Sequence, residues 1–375
     1  MKARTHSPTR REFMSVAVAT ALTARLGATS RVCQEPTGKP IRTLKWGVVG
    51  TGRIANSMAG VIKRADHSAL AAVSSRRMET AKKYAQRHEV AQAFDSWAEM
   101  ISSKAVDAIY VATPTSVREE ICIAAARGGK HVLGEKPFAS SASVGRIVAA
   151  CREHDVAFMD GTHFSHHPRT AKVKAQTKKW VGTVSLLDST CAFHLKDRSN
   201  IRYNPELEPM GAIGDVGWYN MRAAVEYLPP ELKLESVSAV LRRDQETGAV
   251  KGGSGELRFA GGVKSTWNCG FDAISAEMDV RIVGSTGEIT IGGFLFQNPD
   301  GSADLSIRKK ASEPENIRVE SNKPGSVLMF EDMAAAAADP ALRRRWATAT
   351  ERTQRLLDSI WKAGLDAETR ESRDP

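Results

Sequence analysis

The stretch Leu44–Ala55, LKWGVVGTGRIA, constrains the fold more than any other part of this chain. Trp46–Val49 is a short apolar run of strand-forming residues that stops at Gly50-Thr51-Gly52. Arg53-Ile54-Ala55 then opens a segment with helical patterning. Strand, tight glycine turn and helix N-terminus is the order in which a backbone cradles a pyrophosphate. Gly50 permits the sharp turn, and at Gly52 the missing side chain lets backbone approach a phosphate. Ala55 is small enough for helix to pack on strand. The free N–H groups at Thr51–Ile54 and the positive end of the helix dipole would face the ligand. A glycine turn without a ligand is the competing reading, and the βαβ pattern that follows weighs against it.

The chain has 375 residues, 42% hydrophobic and 26% charged, which is globular composition and a length suited to about two domains. Its five cysteines, Cys33, Cys122, Cys151, Cys191 and Cys269, form no CxxC or Cys/His cluster, so neither zinc nor a disulfide framework is indicated. Most read as buried thiols. Formal net charge is +10, but residues 1–28 hold five basic side chains against Glu12 alone, and no aromatic-interleaved basic stripe follows. Nucleic acid is therefore not an expected partner.

Thr9-Arg10-Arg11-Glu12-Phe13-Met14 precedes Ser15–Ala24, a mildly apolar run, with small residues at Gly27–Ser30. A basic segment, a short apolar core and small residues describe a secretory signal, and the paired arginines resemble a twin-arginine signal. Residues 1–30 are read as that signal and 31–42 as linker, which would make the protein periplasmic or exported. A basic tail on a cytoplasmic protein is the alternative. No later stretch is apolar and long enough to span a membrane.

Beyond the fingerprint, strands expected at His67–Ser74, Val106–Ala112, Lys130–Leu133 and Val156–Met159 alternate with helices at Met78–His88, Val117–Gly128 and Ala142–His154. This is a doubly wound parallel sheet, the dinucleotide-binding domain, spanning 43–162. An NAD site places an acid after the second strand. Here Ser74-Ser75-Arg76-Arg77 stands instead, and Ser75 and Arg76 suit a 2′-phosphate, so NADP is expected with NAD as the alternative. Ala112, Thr113 and Pro114 end one strand and Glu135 and Lys136 the next, where ligands bind in such sheets. All five are assigned to the cofactor site.

Lys136, between Glu135 and Pro137, can donate to a substrate oxygen and support proton transfer if burial lowers its pKa. A loop lysine on the surface is equally compatible with the tripeptide alone. Further on, Gly211–Gly217 reads as a turn into a helix running to about Leu228. Asp215 and Tyr219, four apart, share a helix face and could act as an acid/base pair. Taken alone, a capping aspartate and a core tyrosine explain them better.

Together these residues resemble the Gfo/Idh/MocA family of glucose-fructose oxidoreductase, inositol dehydrogenase and rhizopine-catabolism proteins. The resemblance rests on Gly50–Ala55, Ala112-Thr113-Pro114, Gly134-Glu135-Lys136-Pro137, Asp215–Tyr219 and Ile282–Ile289, in order over roughly residues 44–365. It implies an α/β protein with an N-terminal Rossmann domain, and a C-terminal α/β domain (163–365) built on a large, open, mostly antiparallel sheet. It also implies an active site between the two and homo-oligomers through the exposed sheet. Lys136, Asp215 and Tyr219 would be catalytic, Tyr219 moving the proton, as in the sugar- and dihydrodiol-oxidising branch. Two departures lie near the expected substrate cleft: Phe164-Ser165-His166-His167-Pro168-Arg169 in place of Tyr-Arg before His-Pro, and Thr115-Ser116-Val117-Arg118 in place of Asn-x-x-His.

In the second half, strands are expected at Val181–Ser189, Leu234–Arg242, Gly255–Phe259, Gly262–Cys269 and Met278–Val283, with turns at Gly252-Gly253 and Gly261-Gly262. Lys196–Pro209 is a polar loop that could line the substrate side. Terminal helices are expected at Phe330–Ala338 and Leu342–Ala363, with a disordered tail from Asp366. On a strand-like segment His163 and His167 would share a face, but no carboxylate or cysteine completes a metal set. The function expected is transfer of hydride between NADP and a sugar, polyol or related cyclic alcohol or carbonyl. A redox-neutral, NAD-dependent glycoside hydrolase and a non-catalytic cofactor or sugar sensor are the alternatives.

Overall fold

A computed structural model describes residues 40–371. The segment read as an export signal and most of the linker lie outside the described residues. The expected α/β fold is present as two sheets.

The first sheet begins with β1 (Leu44–Val49), whose apolar run is buried at five of six positions. It feeds α1 (Arg53–Arg64), β2 (Ser68–Ser74), α2 (Met78–Arg87), β3 (Gln92–Phe94), α3 (Trp97–Ser102), β4 (Ala108–Val111), α4 (Thr115–Arg127), β5 (His131–Gly134), α5 (Ser141–Glu153) and β6 (Phe158–Asp160). The strands are parallel in the order β3-β2-β1-β4-β5-β6, which puts a topological switch between β1 and β4. The short β3 escaped the sequence reading because Gln92–Phe94 has too few residues to show alternation.

Residues 163–167 are not strand-like. His163–His166 form a 3₁₀ turn leading into α6 (Pro168–Val181), with Pro168 at the helix start. The strand expected from Val181 therefore starts later, as β7 (Val184–His194), after Gly182 turns the chain at φ +76°. Ile213–Gly217 is a π-helical turn continuing into α7 (Trp218–Tyr227). Then follow β8 (Leu234–Arg243), β9 (Val250–Phe259), β10 (Lys264–Gly270), β11 (Asp272–Gly284), β12 (Gly287–Ile291), β13 (Ala303–Lys309) and β14 (Glu315–Val319). The second sheet has the order β14-β13-β12-β11-β7-β10-β9-β8, antiparallel except between β7 and β10. Gly252-Gly253, expected as a turn, lies inside β9. A Cβ at Gly253 would stand 2.7 Å from the Ile213 side chain, so the bare strand makes room for the π-helical turn.

Helix α8 (Gly325–Ala338) crosses back to the first sheet. Phe330 is fully buried and packs edge-on against Trp46, with ring centroids 4.9 Å apart. The boundary drawn at residue 162 thus leaves out a helix that completes the nucleotide-side core. Helix α9 (Pro340–Glu371) packs against β6, β8, α5 and α7. It runs into the tail expected to be disordered from Asp366, as far as Glu371: Leu365 packs on the core just before it, and Glu368 pairs with Arg243 at 2.8 Å.

One buried polar cluster joins the halves. Asp160, at the end of β6, accepts from Arg222 of α7 and from Thr350 of α9 (2.6 Å). It also accepts from Thr162, whose hydroxyl takes the Trp218 indole N–H at 2.7 Å. Arg222 is 1% exposed and Asp160 3%, so each charge depends on the other for solvation. The four described cysteines, Cys122, Cys151, Cys191 and Cys269, are free and buried. No helix among the described residues is long and apolar enough to cross a membrane.

Replacing Phe330 with Ala should cost about 3–5 kcal/mol of stability, because it empties a closed aromatic site between Trp46 and Tyr110. Urea unfolding would show this as a lower midpoint, and a midpoint like that of the parent would mean α8 is dispensable to the core.

Candidate active site

The Gly50-Thr51-Gly52 turn sits at the carboxyl end of β1. Gly50 has φ +104°, and a Cβ there would lie 2.6 Å from the Ala112 carbonyl oxygen, so the turn requires glycine. A Cβ at Gly52 would meet nothing within 4 Å. The space in front of it is open, as a backbone cradle for a phosphate must be. Gly52 caps α1 without a side-chain hydrogen bond, and the first turn holds no acid, so the N–H groups near Arg53 and Ile54 are left for an anion. Ser75 and Arg76 follow β2. Arg76 is exposed and makes no ion pair among the described residues. This donor set fits a dinucleotide with a 2′-phosphate.

Ala112, Thr113 and Pro114 continue β4 beside that turn, where the Ala112 N–H bonds Val49 O at 2.9 Å. Glu135 follows β5, is half-buried and accepts from the Tyr110 hydroxyl; desolvation outweighs its donors and raises its pKa. The next peptide, Lys136–Pro137, is cis.

Lys136 Nζ donates to the Asp215 carboxylate at 2.7 Å and to the Asp215 carbonyl oxygen at 2.6 Å. It also lies 4.6 Å from the centre of the Tyr219 ring. The structure therefore brings together the three residues singled out in sequence. The expected α-helical face is instead a π-helical turn, which carries Asp215, and the regular helix that opens at Trp218 carries Tyr219. A Cβ at Gly214 would stand 2.9 Å from the Pro137 ring, so glycine there lets the two segments close up.

Arg202, from the polar loop, donates to Asp215 Oδ2 at 2.6 Å and to Oδ1 at 3.2 Å. Burial pushes the Asp215 pKa up, but the Lys136 and Arg202 charges overcome it and hold the carboxyl well below its ordinary value. Desolvation likewise pulls Lys136 down, yet the Asp215 charge prevails and the ammonium is held above its ordinary value. The lowered lysine pKa contemplated from sequence is thus reversed by its neighbour. Burial pushes Tyr219 up to about 12 against the Lys136 charge, so the phenol keeps its proton at neutral pH. Its hydroxyl has no hydrogen-bond partner among the described residues.

Sequence reasoning missed the support around this group. Arg118, 3% exposed, donates to Thr115 Oγ1 at 3.0 Å and to the carbonyls of Thr113 and Pro137. Glu208 accepts from the Thr115 N–H at 3.1 Å and its hydroxyl at 2.6 Å, pinning the polar loop to the start of α4. The one signal was Arg118 itself, standing in a motif that departs from the family's. His163 also borders the site: its ring is 6.1 Å from that of Tyr219. His167 points elsewhere, to Gly301 O at 2.8 Å, so the two histidines do not share a face. Among the described residues no group of three or more His, Cys, Asp or Glu could hold a metal ion.

Residues 44–162 match the model of an oxidoreductase family with an NAD-binding Rossmann fold, and residues 172–290 that of the GFO/IDH/MocA C-terminal domain. The dTDP-3,4-didehydro-2,6-dideoxy-alpha-D-glucose 3-reductase of Actinomadura kijaniata is 31% identical over 332 residues, 87% of this chain and 96% of that one. The D-xylose 1-dehydrogenase (NADP(+)) 2 of Haloferax volcanii is 26% identical over 266 residues, 70% of this chain and 80% of that one. A crystal structure of KijD10, a 3-ketoreductase from Actinomadura kijaniata, with NADP and TDP-benzene, aligns with a TM-score of 0.78. It is 24% identical and covers 86% of this chain and 98% of its own, a likeness of fold. With both domain models matched in sequence order, the chain belongs to the Gfo/Idh/MocA oxidoreductase family.

Proposed function

We propose that this protein is an NADP-dependent oxidoreductase transferring hydride between the nicotinamide and a sugar, polyol or related cyclic alcohol or carbonyl. The observation that carries the reading is the Lys136 ammonium held between the Asp215 carboxylate and the Tyr219 ring. When bound, the cofactor supplies the hydride acceptor or donor. Gly50, Gly52 and the start of α1 would hold its pyrophosphate, and Ser75 and Arg76 its 2′-phosphate. Ala112–Pro114 and Glu135 would flank its nicotinamide end. A D-xylose 1-dehydrogenase and a scyllo-inositol 2-dehydrogenase among the relatives carry NADP(+) in their names, and the 3-reductase a sugar nucleotide, which supports both parts of the reading.

Two of the three Lys136 N–H groups go to Asp215, which leaves one to donate to a substrate oxygen. Tyr219, protonated at neutral pH, gives its proton to that oxygen in reduction and receives it in oxidation. Asp215 stays ionised and serves to keep Lys136 charged and aimed. Export through residues 1–30 belongs to the same proposal, supported by Arg10-Arg11 ahead of Ser15–Ala24. So does a homo-oligomer through the second sheet, supported by the alternating exposure along β10 to β13.

Tyr219→Phe should lower kcat by about 10²–10⁴-fold with NADPH affinity retained; a kcat within about threefold of the parent would remove Tyr219 from proton transfer. Arg76→Ala should weaken NADPH binding by about 10–100-fold in a fluorescence titration and leave NADH unchanged. Equal losses for both cofactors would rule out a phosphate-reading role. The stability due to the ionised Asp215 is full above its ordinary value of 3.8 and is lost as pH falls below it. That due to charged Lys136 is full below 10.5 and is lost as pH rises past its raised value. Denaturant unfolding of Asp215→Asn against the parent should therefore show a gap at pH 7 that narrows in acid; a constant gap would contradict the ion pair. Arg10→Lys with Arg11→Lys should keep the protein in the cytoplasm on cell fractionation, and light scattering of the mature protein should give a multiple of the chain mass. Unchanged export or a monomer mass would remove those two readings.

A further inference from the structure

We infer that His163 reads the hydroxyl group next to the reacting carbon, so that the site selects vicinal diols and ring polyols over simple alcohols. This rests on the oxidoreductase reading for which carbon reacts, but the placement of His163 does not.

His163 is held by both neighbours. Thr162 is bonded to Asp160 and to the Trp218 indole, and Phe164 is buried with its ring edge-on to Phe294 at 5.0 Å. Its own carbonyl oxygen lies 2.4 Å from where a Cβ on Gly325 would stand, so α8 closes directly over its backbone. The ring is nonetheless uncommitted. The other two histidines of the segment are engaged, His166 with Asp332 Oδ2 at 2.7 Å and stacked on Trp346, His167 with Gly301 O and the Arg169 N–H. The imidazole of His163 is partly exposed, lies 6.1 Å from the Tyr219 ring and has no hydrogen-bond partner among the described residues.

Desolvation first, then the Lys136 charge and His166, push this imidazole down to about 4, so it is neutral at physiological pH. A neutral imidazole offers one donor and one acceptor, which is the complement of a hydroxyl group. Lys136 and Tyr219 serve the reacting oxygen. A second oxygen on the neighbouring carbon meets His163, and a substrate without it leaves a desolvated ring nitrogen unpaired.

The test uses the protein with NADP⁺ and four probes: D-xylose, scyllo-inositol, trans-cyclohexane-1,2-diol and cyclohexanol. The parent should favour at least one of the three hydroxylated probes over cyclohexanol in kcat/KM. In His163→Phe that preference should fall about tenfold, chiefly through KM, and His163→Asn, which still donates and accepts, should recover part of it. An undiminished preference in both variants overturns the proposal. If the parent turns over none of the probes, the oxidoreductase reading fails separately, and ring ¹⁵N resonances decide this one. The His163 signal, assigned by its absence in His163→Asn, should shift with a polyol at concentrations where cyclohexanol is silent. A signal unmoved by all three polyols overturns the proposal whatever the turnover.

Discussion

The carboxylate of Asp160 is the fixed point of this molecule. It ends the last strand of the nucleotide sheet, and it is buried against a guanidinium from α7 and a hydroxyl from α9. A buried charge without partners is costly, so the three elements can separate only by exposing Asp160 or Arg222 to an apolar surrounding. Trp218 reaches the same cluster through Thr162, and Trp218 opens the helix that carries Tyr219. The helix is thereby set against the first sheet before any ligand arrives. Lys136 belongs to one half and Asp215 and Tyr219 to the other, and this cluster is what makes their 2.7 Å meeting reproducible.

Within the site, charge is balanced by placement. Asp215 accepts from two cations, Lys136 and Arg202, and can satisfy both because its two oxygens are approached from different elements. The net positive result lowers the cost of negative charge developing on a substrate oxygen. Burial acts in the opposite sense on the phenol, keeping it a proton donor. Arg118 and Glu208 work one step further out. They satisfy the Thr113 and Pro137 carbonyls and the Thr115 N–H in the loops that follow β4 and β5.

Much of this was legible in the sequence, for physical reasons. A buried parallel strand and a glycine turn leave strong local patterns, and Gly50, Gly52 and Lys136 stand at strand ends where ligands bind. Asp215 and Tyr219 were legible only through the family resemblance, because a carboxylate near a helix start has a simpler explanation. Asp160, Arg222 and Glu208 left no local trace: each takes its meaning from a partner far along the chain. Helix α8 was seen as a helix but not as part of the first sheet's core, since apolar spacing says which face is buried and not against what. β13 and β14 were passed over because their short, charged segments look like loop until β13 pairs with β12 and β14 with β13. The glycines of β9 misled because glycine signals a turn as readily as a close approach.

The π-helical turn at Ile213–Gly217 has a consequence for the way this site could change. A wider turn holds one more residue than an α-helical turn over the same span, and the helix beyond it is phased accordingly. Loss of one residue there would restore ordinary winding with the flanking segments still in phase, and would redraw only the turn that carries Asp215. Asp215 would swing off Lys136 while α7, anchored by Arg222, stayed in place. The Lys136–Asp215 pair is thus sensitive to length at a point where the fold is not. Insertion or deletion of a single residue could switch the chemistry off and leave an intact cofactor-binding protein behind.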